Sequence, residues 1–310
     1  MIIFFSFTRS VATFFFVAPL LALSALEVSG EAEPKAKTEF NRPGFKLIRD
    51  IEYAKEGGKP ILLDVFTPEK SAERLPTVVY IHGGGWKSGS KENCPVTGLL
   101  SRGYVVVSIN YRLSNEALFP AQIHDCKGAI RFLRAHAQEY NIDPKRIGVW
   151  GFSAGAHLAA LLGTSGSVKE LEGTVGGNLE QSSSVQCVAE SSGPTDFLNL
   201  APGQTPGIPG QLASIKALLG GPLAEKKDLA IRANPITYIT KDDPPFLIFH
   251  GLQDPGVPPT QSQLLYDALK SAGVDATLHM VPEGKHSLLM GKDAREISNK
   301  FFDDHLKPTN

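Results

Sequence analysis

Ile147-Gly148-Val149-Trp150-Gly151-Phe152-Ser153-Ala154-Gly155-Ala156 is the stretch on which the fold turns: an apolar run stops at a serine held between two glycines. The run has the composition of a buried strand, and the Ala-rich stretch from Ala156 to Leu162 that follows has that of a helix. A strand that becomes a helix within one residue forces that residue into a sparsely populated backbone conformation. In so sharp a turn, side chains at Gly151 and Gly155 would collide. The pattern is G-x-S-x-G, and it makes Ser153 a candidate nucleophile. Three fixed positions in five also arise by chance, so the assignment depends on partners elsewhere in the chain.

The segments around this stretch alternate. Phe45 to Tyr53 and Ile61 to Phe66 flank Gly57-Gly58, which predicts an antiparallel opening hairpin. Thr77 to Ile81 is a continuous β-rich run, as in a strand buried on both faces, and it ends at His82-Gly83-Gly84-Gly85-Trp86. A helix around Val96 to Arg102 leads to a strand from Tyr104 to Asn110. A long amphipathic helix from Ala121 to Glu139 leads to a strand from Arg146 to Trp150. Beyond the serine, Val185 to Glu190, Phe246 to His250 and Ala276 to Val281 read as strands, and Gln261 to Ala272 and Asp293 to His305 as helices. Strands alternating with helices build parallel βαβ units. The expected fold class is therefore α/β, with about eight mostly parallel strands flanked by helices. Two Gly-, Ser- and Pro-rich stretches, Ser165 to Ser184 and Asn199 to Gly221, interrupt the rhythm. They read as a small insertion, either a lid or pocket wall above the strand ends or plain connecting loops.

The chain has 310 residues, 42% of them hydrophobic and 20% charged, with a formal net charge of -1. This is a globular balance with no basic patch, which argues against a nucleic-acid partner and against attraction to an anionic membrane. A small-molecule or polysaccharide-linked partner of little charge fits better. The N-terminus carries Arg9, then the apolar block Val11 to Leu23, then Val28, Ser29 and Gly30. That is the layout of a signal peptide over residues 1–30, followed by a catalytic domain over 31–310. It predicts a secreted or periplasmic protein without stable membrane insertion of the mature chain. Cys94, Cys126 and Cys187 are too few for a disulfide-stapled scaffold, and buried free thiols are expected. No metal-ligand spacing occurs among the histidines and cysteines, so neither a metal nor another cofactor is expected.

A serine hydroxyl needs an imidazole to take its proton and a carboxylate to orient that imidazole. Of the histidines after Ser153, His286 alone lies in a loop between the last strand and the last helix; His157, His250, His279 and His305 fall within or at the ends of regular elements. Asp254 follows a strand, as does its competitor Asp196, whereas Asp242 and Asp243 precede a strand and lie at its far end. The expected triad is Ser153, Asp254 and His286. The glycines after Ile81 let a backbone approach a substrate closely, so the amides of Gly84, Gly85 and Ala154 are expected to form an oxyanion hole. Trp86, beside the same loop, reads as a substrate-binding residue that floors the pocket or, equally, as plain packing.

With these residues in place the chain resembles the α/β-hydrolase superfamily, and within it the HGGGW-type esterases related to hormone-sensitive lipase. Asn110-Tyr111-Arg112-Leu113-Ser114, Phe119 to Lys127, Ile142-Asp143-Pro144 and Gly193-Pro194-Thr195-Asp196-Phe197 resemble, more narrowly, the bifunctional acetylxylan and feruloyl esterase-like group. The resemblance implies an α/β-hydrolase fold, a triad at Ser153, Asp254 and His286, and hydrolysis of esters that decorate plant or algal polysaccharides. Ala156 departs from the pattern, since a second glycine commonly follows the elbow. The same triad would also serve an amidase, a formamidase or a peptidase. A non-catalytic binding protein on this scaffold would lack a triad member, and none is missing.

Overall fold

Gly57 and Gly58 both adopt positive φ, 56° and 81°, and turn strand β1 (Phe45–Glu56) back on β2 (Lys59–Pro68) as the antiparallel hairpin expected from the sequence. The architecture is that of a computed structural model, which describes residue 1 and residues 40–200, 209–287 and 291–307. The chain divides into Met1–Thr38 and Glu39–Asn310. The first unit, with the expected signal peptide, lies outside the described residues apart from Met1. All elements named here belong to the second.

Six further strands complete one sheet: β3 (Leu75–Ile81), β4 (Val105–Ile109), β5 (Ile142–Phe152), β6 (Cys187–Ser191), β7 (Phe246–Gly251) and β8 (Ala276–Val281). Their order is β1-β2-β4-β3-β5-β6-β7-β8. The β1–β2 and β2–β4 pairings are antiparallel; from β4 onward along the sheet every pairing is parallel. The central strands are apolar because both faces are covered: Val78, Val79, Ile81, Val105, Val106, Val107 and Ile109 have no exposed surface. Because β3, β5, β7 and β8 are parallel, the segments that leave their carboxyl ends emerge along one edge of the sheet. Those segments carry the Gly-rich loop, Ser153, Asp254 and His286.

The helices are α1 (Ala121–Ala135), α2 (Ala154–Thr164), α3 (Pro209–Leu219), α4 (Lys227–Ala233), α5 (Thr260–Ser271) and α6 (Lys292–Leu306). Four stretches differ from expectation. The stretch Val96 to Arg102 is a 3₁₀ turn, Thr97–Arg102, closed by Gly103 at φ 82°. Helix α1 stops at Ala135 instead of Glu139. Asn141 takes φ 60° and reverses the chain, and the Ile142 amide donates to Ala137 O at 2.8 Å, leading directly into β5. Neither α3 nor α4 is expected as a helix from the sequence.

The polar stripe that makes α1 look amphipathic is also covered. Lys127 Nζ donates to Ser165 O at 2.6 Å, Arg131 to Val175 O at 2.7 Å and to Gly177 O at 3.1 Å, and Arg134 to Ser184 O at 2.5 Å. The insertion Ser165 to Ser184 is thus a brace laid along α1, whose cations satisfy backbone carbonyls that a loop would otherwise leave unpaired. Within the second insertion, α3 is docked: Ile215, Leu218 and Leu219 are fully buried, and a Cβ on Gly85 would lie 2.8 Å from Ser214 Oγ. The helix therefore sits on the Gly-rich loop.

The three cysteines are free thiols. Burial pushes the Cys94 thiol up to about 12 and raises Cys126 and Cys187 as well, so none carries an appreciable thiolate fraction at neutral pH.

Candidate active site

Ser153 sits where β5 ends and α2 begins, at φ 55° and ψ -120°. For a residue with a Cβ this is strained by about 1–3 kcal/mol, and it persists only where the surroundings over-determine it. The Ser153 amide donates to Ser191 O at 2.9 Å, and Ser153 O accepts from the His157 amide at 3.1 Å. A Cβ on Gly151 would lie 2.1 Å from Gly155 O, and one on Gly155 would lie 2.1 Å from Ile81 O. Both glycines are required by close backbone approach, which is the steric reading of G-x-S-x-G.

His286 faces Ser153 from the loop after β8. Its Nε2 is 2.9 Å from Ser153 Oγ and its Nδ1 is 2.7 Å from Asp254 Oδ2. The carboxylate can only accept, so Nδ1 carries the ring proton and Nε2 is left to accept the serine proton. Phe152 packs beside this imidazole, with centroids 5.0 Å apart. The loops bearing the acid and the histidine are laced together. The Leu252 amide donates to Val281 O at 2.9 Å, the Gln253 amide donates to Gly284 O at 2.8 Å, and a Cβ on Gly251 would lie 2.3 Å from Gly284 C.

Asp254 is half-buried as a residue, but its carboxylate is shielded from solvent and surrounded by donors. Oδ1 accepts from the amides of Gly256 at 2.7 Å and Val257 at 2.9 Å, while Oδ2 meets His286 Nδ1 and, at 3.2 Å, His250 Nε2. Burial acts to raise its pKa. The hydrogen bonds from His250, His286, Val257 and Gly256 outweigh burial and hold the carboxyl well below its usual range. Asp196, the competing carboxylate, is turned elsewhere: its Oδ1 accepts from the Leu198 amide at 3.0 Å and from Asn234 Nδ2 at 2.9 Å.

The Gly-rich loop lies against the serine, since a Cβ on Gly83 would stand 2.9 Å from Phe152 O and 3.2 Å from Ser153 Cβ. Gly84, Gly85 and Trp86 take successive positive φ values of 115°, 60° and 57°. Gly84 O accepts from the amides of Lys87 at 3.2 Å and Ser88 at 3.1 Å, which ties the turn, and among the described residues the Gly84 and Gly85 amides meet no backbone acceptor. Ala154 is the first residue of α2, so its amide has no intrahelical acceptor either. These three donors, with the positive end of the α2 dipole, form a set able to receive a developing oxyanion. A Cβ on Gly84 would meet Ser88 O at 2.1 Å. Gly84→Ala is therefore expected to displace the loop and lower kcat about 10²- to 10³-fold, the cost of a lost oxyanion donor, with an unchanged far-UV CD spectrum as the control.

Trp86 does not floor a pocket. It is fully buried, its Nε1 donates to His157 Nδ1 at 3.3 Å, and its ring packs edge-on against His157 and Phe197. The positive φ at Trp86 turns the indole inward, where it anchors the loop from beneath and has no surface to offer a substrate. His157, whose Nε2 donates to Ala233 O at 2.7 Å, completes that anchor, and burial drives its pKa down to about 4, so it is neutral. On the other side, the His82 ring stacks on Tyr111 at 4.4 Å, and the Tyr111 hydroxyl donates to His82 O at 3.0 Å. Sequence reading missed the roles of His82 and Tyr111. The signal was the placement of a histidine and a tyrosine at the carboxyl ends of neighbouring strands.

Among the described residues, no group of three or more His, Cys, Asp or Glu side chains is placed to hold a metal ion, and no helix is long and apolar enough to cross a membrane.

Known proteins resemble the chain in both sequence and fold. Esterase LipQ of Mycobacterium tuberculosis is 32% identical over 253 residues, covering 79% of this chain and 58% of the relative. The chain thus spans a little over half the length of the curated relatives it matches first. A truncated form of a carbohydrate esterase from gut microbiota superposes with a TM-score of 0.79 at 32% identity, covering 85% of this chain and 97% of that one. An acetyl ester-xyloside bifunctional hydrolase from Caldicellulosiruptor lactoaceticus superposes with a TM-score of 0.68 at 28% identity, covering 82% and 95%. The fold is the α/β-hydrolase fold of these esterases. The BD-FAE family model matches residues 63–269, from β2 through most of α5, and with two thirds of its length inside that match the chain belongs to the BD-FAE family.

Proposed function

We propose that the protein is a serine carboxylic ester hydrolase that works through an acyl-enzyme, with Ser153 as nucleophile, His286 as general base and then acid, and Asp254 as the residue that orients His286. The observation that carries this reading is the pair of contacts at His286: Nε2 to Ser153 Oγ at 2.9 Å and Nδ1 to Asp254 Oδ2 at 2.7 Å.

The contacts support the following sequence of steps. Ser153 Oγ attacks the ester carbonyl as its proton passes to His286 Nε2. The imidazolium that results is stabilised by the Asp254 carboxylate, which stays ionised. The carbonyl oxygen takes the negative charge and is met by the amides of Gly84, Gly85 and Ala154. His286 then returns the proton to the departing alcohol, leaving the acyl group on Ser153. A water molecule, deprotonated by the same nitrogen, repeats the sequence and frees the acid.

The substrates we propose are acetyl esters, feruloyl esters or both, carried on polysaccharides, and short-chain esters of similar size. Support comes from the resemblance of the 110–114, 119–127, 142–144 and 193–197 segments to esterases of that group, and from neighbours described as a carbohydrate esterase and an acetyl ester-xyloside bifunctional hydrolase. Export, proposed from the Arg9 and Val11 to Leu23 layout, would bring the enzyme to such polymers.

The test is a matched panel given to the protein without residues 1–30: p-nitrophenyl acetate and a long-chain p-nitrophenyl ester, acetylated xylan, methyl ferulate, and an N-formyl or peptidyl anilide. Release of acetate from xylan, turnover of methyl ferulate, or both is expected. A preference for long acyl chains, or anilide turnover without ester turnover, would overturn the substrate assignment.

A further inference from the structure

Behind Asp254, on the side away from His286, lies a chain of buried polar groups that the reaction as written does not use. His250 at the end of β7, Ser262 on α5 and Glu190 on β6 are 0%, 0% and 1% exposed. His250 Nε2 faces two acceptors, Val257 O at 2.9 Å and Asp254 Oδ2 at 3.2 Å. His250 Nδ1 is 2.7 Å from Ser262 Oγ, and Ser262 Oγ is 3.1 Å from Glu190 Oε1. Glu190 Oε2 accepts from the Gly193 amide at 3.0 Å.

The proton count of this chain is constrained. Two acceptors at Nε2 fix one proton there. Ser262 has a single hydroxyl proton and stands between Nδ1 and Oε1. If both of these were bare, one contact would set lone pair against lone pair in a site shut off from solvent, at the cost of a buried unsatisfied group. One additional proton removes the conflict in either of two ways. Glu190 holds it and donates to Ser262, which donates to His250 Nδ1. Alternatively, Nδ1 holds it and donates to Ser262, which donates to Glu190 Oε1. The two forms differ by moving two hydrogens along one line, and the net charge is the same.

We propose that Glu190, Ser262 and His250 hold one shared proton behind Asp254 and act as positioning residues for the acid of the triad, keeping its Oδ2 aimed at His286. The inference rests on the hydrolase reading above. Asp254 Oδ2 is then held between two imidazole N–H groups, one that takes part in proton transfer and one that does not. The chain also joins the two halves of the site. Gly193 follows Ser191, whose carbonyl receives the Ser153 amide, so the acid loop and the serine turn are braced against each other through Glu190.

Burial pushes the Glu190 carboxyl up to about 7, against the opposing pull of the neighbouring His250 imidazole, the Gly193 amide and the Ser262 hydroxyl. The titratable groups facing His250 are Glu190 from β6, through Ser262 of α5, and Asp254 from its own loop, with His286 beyond Asp254. A carboxyl raised in this way keeps its proton below its folded pKa and loses it as the pH rises through that value. The brace is therefore present on the acid side of neutrality and weakens above it.

The experiment compares wild type, Glu190→Gln, Glu190→Ala and Ser262→Ala. Active sites are counted first by end-point labelling with diethyl p-nitrophenyl phosphate, so that misfolded protein does not enter the rates. Glu190→Ala and Ser262→Ala are expected to lower kcat on p-nitrophenyl acetate about 10-fold or more, as the outer partners of functional imidazoles do, with KM nearly unchanged. Glu190→Gln keeps a donor for Ser262 that cannot ionise. It is expected to recover most of what Glu190→Ala loses, and its kcat relative to wild type should rise between about pH 6 and about pH 8, one unit either side of the Glu190 transition. A flat ratio, equal losses in Glu190→Gln and Glu190→Ala, or full kcat in Ser262→Ala overturns the inference while leaving the triad standing. A wild type that is neither labelled nor active on esters overturns the hydrolase reading itself, and this inference falls with it.

Discussion

Ser153→Ala is expected to lower kcat on p-nitrophenyl acetate about 10⁶-fold, because removing the nucleophile of a serine triad costs as much as removing the triad entire. The fold should survive. The strain at φ 55° arises from the Cβ, which alanine retains, and the backbone contacts of Ser153 with Ser191 and His157 do not involve the hydroxyl. The side chain contributes one hydrogen bond, to a partly exposed imidazole that water can also satisfy. The expected change in unfolding free energy is thus below about 1 kcal/mol. Circular dichroism and a melting curve check the second half of the prediction, and turnover checks the first. Residual activity near wild type would remove Ser153 from the reaction.

Asp254→Asn is expected to cost about 10⁴-fold in kcat, through a different mechanism. An asparagine can turn its amide toward His286 Nδ1 and donate, which places the ring proton on Nε2, facing Ser153. The base is then present but in the wrong tautomer. Asp196→Asn is the matched control, since Asp196 also follows a parallel strand but bonds to Leu198 and Asn234. Its expected effect is a loss of about 1–2 kcal/mol in stability, as one charge-assisted acceptor weakens, with kcat changed by less than about 3-fold. Reversed outcomes for the two variants would exchange their roles.

The serine turn could be read from sequence because its constraint is steric and local. Gly151 and Gly155 are where a Cβ would strike backbone, and no other residue type fits. The positions of Asp254 and His286 followed from a topological argument: parallel strands deliver their carboxyl ends to one edge, so a carboxylate after one strand and a histidine after the next can meet. Strand existence was legible for the same reason that β4 is Val-Val-Val-Ser-Ile, since a strand covered on both faces must be apolar throughout.

What could not be read depends on contacts between distant segments. Helix α1 has a polar stripe that normally means solvent, and only the fold shows Lys127 and Arg131 buried under the 165–184 brace. An aromatic residue beside a loop is as often plain packing as pocket floor, and only the fold shows the Trp86 indole buried against His157 and Phe197. Its direction was decided by a positive φ that the preceding glycines did not announce. Glu190 left a faint trace, a carboxylate inside the buried run Cys187-Val188-Ala189-Glu190-Ser191, which must have partners to be tolerated. Sequence could not say that those partners are Ser262 and His250, 72 residues away in one case.

A Ser153 Oγ that forms an acyl-enzyme should also be phosphorylated by diethyl p-nitrophenyl phosphate, and peptide mass spectrometry locates the label. The expected result is one diethylphosphoryl group per chain, on the peptide that contains Ser153, appearing in step with the loss of ester turnover. Full ester turnover with Ser153 unmodified after complete reaction of the reagent, or inactivation that tracks a label on another side chain, would contradict an acyl-enzyme on Ser153.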